Sequence, residues 1–253
     1  MSASFLIYNE VENSVFTASS ENASFPLSNL TDSRRTKSYR STSNSDWVVV
    51  DLGSFKPVDS FFIVDNPLSG FSLTTLTLEF NSVNNWSSPA LSIPITLDYK
   101  HGVGHHFFNT PVTYRYMRIV MTSTSGYCEL SKFFIGLKSQ YTNSDFSYPL
   151  NYLENNLAVV SKNRYGQRFI DEVNTQKNIS ARIDYVPRDD IDDVLDWLSY
   201  VSITRPFYVY FDNGQMATEV NRFNGYYYLV NEPKLQLSTG NYWSLDLSLE
   251  EAL

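Results

Sequence analysis

Cysteine is nearly absent from this sequence: Cys128 is the single one in 253 residues, beside three histidines, ten glycines and ten prolines. One thiol excludes an internal disulfide and offers no cysteine cage for a metal. Charge is sparse as well, 18% of residues against roughly a quarter in ordinary globular chains. Basic residues are the scarcer kind, 19 Lys and Arg against 27 Asp and Glu, for a net charge of −8. Such a chain lacks the basic footprint of a specific nucleic-acid binder. No apolar run approaches the ~20 residues that cross a bilayer, which predicts no membrane insertion. Met1 to Glu10 has neither a basic start nor an apolar stretch of signal-peptide length, which predicts synthesis in the cytoplasm without a signal peptide. Aromatics are what the chain has in excess, with 18 Tyr, 17 Phe and 4 Trp. Together with a 42% hydrophobic content they supply ample core for two domains and exclude global disorder.

Short strands separated by polar turns are predicted over residues 1–140. Trp47 to Leu52 is a β-branched run closed by Gly53, and Val58 to Val64 is closed by Asp65-Asn66-Pro67. Leu76, Leu78 and Phe80 alternate with Thr77 and Glu79, so the apolar three share one strand face. Tyr114–Met121 and Leu130–Leu137 are two further strands. Regular turns between short strands argue for an antiparallel sandwich. The polar segment Lys138 to Pro149 places a domain boundary near residue 140, leaving 141–253 as a second domain. Acidity is concentrated in that second part, with 9 basic and 15 acidic residues after residue 145 against 10 and 12 before it. A helix is predicted over about 188–201, with Pro187 at its start. Ile191, Val194, Leu195 and Leu198 form its packing face, and Asp189, Asp190, Asp192 and Asp193 favour the positive end of its dipole. Strands are predicted at Asn178–Tyr185, Phe207–Phe211, Tyr226–Val230 and Trp243–Leu249, so that one helix packs on a β-sheet or barrel.

Few residues point to chemistry. His101, His105 and His106 carry a His-x-x-x-His spacing, but Gly102, Val103 and Gly104 between them disfavour the helix that would align two rings on a metal, so a glycine-rich turn entering a strand is expected. Cys128 has Glu129 beside it, which raises a thiol pKa. There is no Gly-x-Ser-x-Gly elbow, no phosphate loop and no dinucleotide fingerprint. The chain is therefore expected to have no catalytic site, no metal and no cofactor. Two features suit contact with a partner or a glycan. Trp86 stands in the polar loop Asn81 to Pro89, where it either stacks on a ligand or folds back on the sandwich. Arg34, Arg35, Tyr39 and Arg40 form a local basic and aromatic run in an acidic chain, either an anion or acidic-partner contact or simply a solvated run.

A set of pieces in order runs through the first part: Thr17-Ala18-Ser19-Ser20, Phe25-Pro26-Leu27-Ser28-Asn29-Leu30, Asp32, Tyr39-Arg40-Ser41, Trp47 to Gly53, Tyr114 to Ile119, Glu129-Leu130 and Ile135-Gly136. Over roughly residues 14–138 this resembles the discoidin-like, galactose-binding-like modules of bacteriophage tail proteins. Phe146 to Leu150, Gly166 to Asp171, Ile179–Tyr185, Arg205-Pro206-Phe207 and Tyr242 to Glu250 resemble the domain that follows such modules in tail-tip and baseplate proteins. The pairing implies a mainly β protein, a discoidin-like jelly-roll sandwich followed by a tail-tube-like β domain with one helix. It implies a virion component of distal-tail or minor-tail type. Copies of it would form a ring, hexameric by resemblance, joining the tail tube to receptor-binding or hub proteins. The alternative it implies is a carbohydrate-binding module for host surface glycans, since sugar-binding relatives use loops at one end of the sandwich. Some relatives hold calcium near the positions of Asn29–Asp32 and Glu129; here Ser33 stands where a glycine is usual.

Overall fold

Alternating apolar residues of β-branched and aromatic type pack well on a pleated, half-buried surface, and that pattern sends most of this chain into strands. The computed structural model describes residues 2–139, 146–162, 164–165, 167–212 and 221–253. It is mainly β, with one α-helix among the described residues. The expected boundary at residues 140 and 141, and Gly166, lie outside the described residues.

The first strand, β1 (Ser2–Leu6), belongs to the second of two large sheets. The first sheet is built from β2 (Val15–Ala18), β4 (Ser45–Val64), β5 (Leu73–Asn81), β6 (Leu91–Pro94), β7 (Leu97–Asp98), β8 (Val103–Ser123) and β10 (Lys132–Gly136). A small ribbon, β3 (Tyr39–Arg40) with β9 (Glu129–Leu130), closes one end. The order β10-β4-β8-β5-β6 is antiparallel throughout, with β2 added on β4 and β7 on β8. Sequence reading separates Trp47–Leu52 from Val58–Val64. In the structure they are two halves of β4, joined through irregularities between Asp51 and Lys56 and between Val58 and Ser60. Gly53, at φ +77°, supplies the left-handed residue that the first bend requires. The bend brings both halves onto one core, where Val48 and Val50 meet Phe61 and Ile63 along with Leu78, Phe80, Met117, Ile119 and Phe133. The result is a β-sandwich.

The second sheet runs β1-β13-β14-β16-β12-β11, with β15 on β16. Its later strands are β11 (Phe146–Lys162), β12 (Arg168–Pro187), β13 (Phe207–Asp212), β14 (Gly225–Leu229), β15 (Lys234–Thr239) and β16 (Tyr242–Glu251). Here the expectation of a first unit starting at residue 1 is corrected, because β1 pairs with β13 from Ser2↔Asp212 to Leu6↔Tyr208. The sandwich is thus inserted between the first and second strands, in chain order, of the sheet beside it. Helix α1 (Ile191–Val201) follows a single 3-10 turn, Arg188–Asp190, where the sequence predicts it. It buries Val194, Trp197 and Val201, with Ile191 and Leu198 packed partly against them. Leu195, expected on the packing face, is instead exposed. It lies about 100° around the helix from Val194, on the flank, and the large indole of Trp197 occupies the face. Trp197 stacks on Phe5 at 5.3 Å and tilts against Phe207 at 5.9 Å.

Both faces of the second sheet are used. Phe207, Val209 and Phe211 on β13, with Tyr227 and Leu229 on β14, face the helix. The alternate residues Tyr208, Tyr210, Tyr226 and Tyr228 face Phe62, Val64, Val103 and Phe134 of the sandwich. Helix, sheet and sandwich therefore make three layers. At the seam Arg35, 5% exposed, donates to the carboxylate and backbone carbonyl of Asp65 in the sandwich and, at 2.6 Å, to Glu251 at the end of β16. Glu251 also accepts the Lys177 backbone N–H at 3.1 Å. Gly102, at φ +67°, leaves the space that the Asp65 carboxylate fills, since a Cβ there would sit 2.4 Å from it. Burial raises the Asp65 carboxyl above the usual carboxylate range, and Arg35 works against that shift.

A second buried cation, Lys132 on β10, donates to the carbonyls of Lys37 at 2.8 Å and Asn29 at 2.5 Å, pinning the 3-10 turn Leu27–Thr31 to the sandwich. Two outcomes are expected. Arg35→Met strands two buried carboxylates and should lower unfolding free energy in urea by about 3–5 kcal/mol, with part recovered in Arg35→Met/Glu251→Leu. For Lys132, burial lowers the ammonium from its ordinary 10.5 to about 8. The unfolded chain then holds a proton that the folded chain has released between those pH values, so this group's contribution to stability rises with pH across that window. Relative to Lys132→Met, the wild type should gain about 3 kcal/mol from pH 8 to 10.5; parallel curves would show that the ammonium is solvated.

Candidate functional site

The antiparallel register sorts the loops of the sandwich into two ends. Ser45 pairs with Thr122, and Leu73 with Ser123, so the connections 41–44, 65–72 and 124–128 gather at one end. The loop 82–90 follows Asn81, whose partner is Tyr116, and so starts from the other end. At the first end a backbone ladder sets Phe25 beside Arg40: the Arg40 N–H donates to the Phe25 carbonyl at 3.0 Å, and the Asn22 N–H to the Arg40 carbonyl at 2.9 Å. From the opposite side the Ser41 N–H donates to the Cys128 carbonyl at 3.0 Å, and the Cys128 N–H to Ser41 Oγ at 2.7 Å. That exchange sets Tyr127 beside Arg40 as well.

The Arg40 guanidinium lies over both rings, 3.9 Å from the Phe25 centroid and 4.9 Å from that of Tyr127. Each contact is a cation–π interaction, worth about 0.5–2 kcal/mol depending on desolvation. Behind it stands Glu129, buried, with a carboxylate that accepts from Ser38 Oγ, Asn66 Nδ2 (2.8 Å), Ser69 Oγ (3.2 Å) and Arg40 Nη2 (3.4 Å). Glu129 thereby ties the β4–β5 connection to Arg40 and orients the guanidinium. Arg40 Nη1 makes no hydrogen bond among the described residues, and its side chain is 24% exposed. A half-open planar cation between two aromatic rings offers donors for hydroxyl oxygens and ring faces for apolar C–H groups.

The other expected contacts are dispersed. Arg35 and Tyr39 are interior, not surface, residues. Arg35 is consumed by the Asp65 and Glu251 pairs, and the Tyr39 hydroxyl donates to the Ser20 carbonyl at 2.5 Å and to Asp46 at 3.1 Å. Burial, with the Asp46 charge second, raises the Tyr39 phenol. Arg34 is exposed and chelates Asp32, whose carboxyl it holds well below the usual range. Trp86 starts from the opposite end and folds back over the Arg118 guanidinium at 4.8 Å, its indole N–H on Asn84 at 2.8 Å. The structure therefore brings Arg40 to a prepared end of the sandwich and leaves Trp86 apart from it. Phe25 and Glu129 stood among the residues that carried the resemblance, but their convergence on Arg40 depends on pairings across 15 and 89 residues. Tyr127 gave no sequence signal beyond its neighbour Glu129.

The histidines follow the expected turn-then-strand arrangement, with β8 beginning at Val103. His101 binds Asp98 at 2.8 Å, while His105 packs among Phe62, Phe107 and Tyr210. Cys128 is buried, which raises its thiol. At the Asn29–Asp32 turn the Lys132 ammonium holds the Asn29 carbonyl and Arg34 holds Asp32, so these residues do not fit a calcium ion. Among the described residues no three His, Cys, Asp or Glu side chains group as metal ligands.

Comparison with known proteins agrees with this architecture over the sandwich. The F5/8 type C domain family matches residues 15–133. No curated protein matches the chain. Solved structures similar to it include the family 32 carbohydrate-binding module of C. perfringens NanJ in complex with galactose, 16% identical, with a TM-score of 0.43 over 53% of this chain and 98% of that one. A fucose-binding module of Streptococcus pneumoniae is 11% identical, with a TM-score of 0.45 over 52% and 98%. The chitosan-binding module 1 of a Paenibacillus chitosanase/glucanase is 22% identical, with a TM-score of 0.41 over 51% and 98%. Residues 15–133 match the F5/8 type C domain family and fold as a discoidin-like β-sandwich.

Proposed function

We propose that this chain is a non-catalytic binding protein whose discoidin-like sandwich takes carbohydrate at the loop end carrying Arg40. The observation that carries the reading is the half-open guanidinium held between Phe25 and Tyr127 and oriented by buried Glu129. Sugars present hydroxyl oxygens around their rim and C–H groups on their faces, and this end supplies a donor and aromatic surface together. The F5/8 type C match over the same residues supports it. Calorimetry with galactose, fucose and glucosamine oligomers should find saturable binding for at least one of them. Tyr127→Ala should weaken that binding about tenfold, while Trp86→Ala leaves it unchanged. Wild type that binds none of a broad glycan array at millimolar sugar, or binding lost in Trp86→Ala alone, overturns the assignment.

A second reading has the chain as a ring-forming virion component joining tail tube and hub proteins, and one observation favours it. Among the described residues β11 is an outer edge of the second sheet, paired to β12 from Asn151 to Lys162 and at Phe146 and Ser147, and it exposes Leu153 and Leu157. A long edge with exposed leucines is a template for pairing with another chain. Native mass spectrometry should then show a closed ring, six copies in the resemblance, that falls to monomer in Leu153→Lys/Leu157→Lys. A wild type that stays monomeric both alone and on intact tails removes this reading and leaves the first untouched.

A further inference from the structure

A cleft opens at the seam, where the second sheet meets two 3-10 turns of the sandwich side, Glu10–Asn13 and Leu27–Thr31. Its volume is about 400 Å³, within the range of roughly 300–1,000 Å³ typical of ligand sites, which favour such junctions. Two of the residues that line it are a cross-strand pair. The register of β13 and β14 sets Tyr208 opposite Tyr226, with ring centroids 4.5 Å apart. Phe62 and Phe134 of the sandwich hold the Tyr208 ring edge-on, at 5.7 and 5.9 Å. None of Phe25, Arg40 and Tyr127 lines this cleft.

Tyr208 is 3% exposed and Tyr226 7%, and neither hydroxyl has a hydrogen-bond partner among the described residues. Buried hydroxyls are bonded as a rule, so the pair carries an unmet demand. Burial above all keeps both phenols protonated; the Glu12 charge reaches each of them, and that of Asp32 reaches Tyr226. Both carboxylates line the cleft, so the two hydroxyls lie on its side of the rings. The charged groups there are already engaged. Asp32 is chelated by Arg34, and Lys132 donates to two carbonyls. Glu12 accepts from the Tyr200 hydroxyl at 3.1 Å, and the Arg205 guanidinium lies over the Tyr200 ring at 4.6 Å. An anion entering the cleft meets Glu12 and Asp32, and a cation meets Lys132 and Arg205. What the cleft offers is neutral: two phenols that both donate and accept, and the third N–H of Lys132. Val11, Leu30 and Pro206 add apolar wall. A sugar ring, with hydroxyls on its rim and C–H groups on its faces, answers both kinds of surface.

We propose that this cleft binds a single neutral sugar unit, its hydroxyls bonded to Tyr208 and Tyr226, at a site independent of the Arg40 end. The test uses the full chain carrying Tyr127→Ala, which weakens the other end, and calorimetry with galactose, glucose and mannose and their methyl glycosides. Saturable binding of at least one of them is expected, unchanged by salt because the ligand carries no charge. A sugar whose methyl glycoside binds equally enters as the terminal unit of a glycan, and one that binds only free enters as a free sugar; both outcomes support the site. Adding Tyr208→Phe/Tyr226→Phe, which keeps both rings, should weaken binding about tenfold. Without sugar the same variant should unfold at an equal or higher urea concentration, because it removes two hydroxyls that lack partners. Absence of saturable binding in the Tyr127→Ala chain leaves the cleft to water and overturns the proposal. Equal affinity in the Phe variant overturns it as well, as does tighter binding of sodium phosphate or acetate than of any sugar. The Arg40 assignment is read separately, from the affinity that Tyr127→Ala removes.

Discussion

One buried guanidinium sets the relation between the two parts of this protein. Arg35 lies in the sandwich by sequence, yet its two arms reach Asp65 in the same sandwich and Glu251 at the end of the other sheet. Ions removed from water on this scale are tolerable only when each is paired and bonded in good geometry. The seam therefore admits one arrangement: the Ser131 hydroxyl donates to the Arg35 carbonyl, Gly102 leaves no side chain beneath Asp65, and Lys177 supplies Glu251 with a backbone donor. The apolar contact beside it, Tyr208 and Tyr226 against Phe62 and Phe134, provides burial without direction. The ion network provides the direction.

Much of the sandwich could be read from the sequence because alternation is a local signal, and Leu76, Leu78 and Phe80 announce their face without help from elsewhere. The helix was legible for the same reason, down to its proline start. What failed was anything settled by a distant partner. Arg35 and Tyr39 read as a surface run because Asp65, Glu251 and Asp46 are invisible to local reasoning. Leu195 and Trp197 sit within one turn of each other, and only the position of Phe5, supplied by the first strand, decides which of them faces inward. The candidate site was half legible. Arg40 was named, but its aromatic clamp depends on two loops meeting, which neither loop encodes alone.

The aromatic excess takes on a definite meaning in this light. Alternate tyrosines and phenylalanines on β13 and β14 serve opposite layers: the phenylalanines pack against the helix and the tyrosines against the sandwich, Tyr227 being the exception among the helix-facing residues. A sheet that must be covered on both sides needs large apolar bodies on both. At the loop end the same residue types do a different job, holding a cation half open to solvent. Composition alone could count these residues but could not distribute them between the two roles.

The placement of β1 has a consequence in time. Its hydrogen-bonding partner lies more than two hundred residues further along the chain. At a synthesis rate of about 5–20 residues per second the strand waits on the order of ten to forty seconds for β13 to emerge. During that wait the whole sandwich can form behind it. The last large surface to close is then the seam, and the sheet is completed around a sandwich that is already folded.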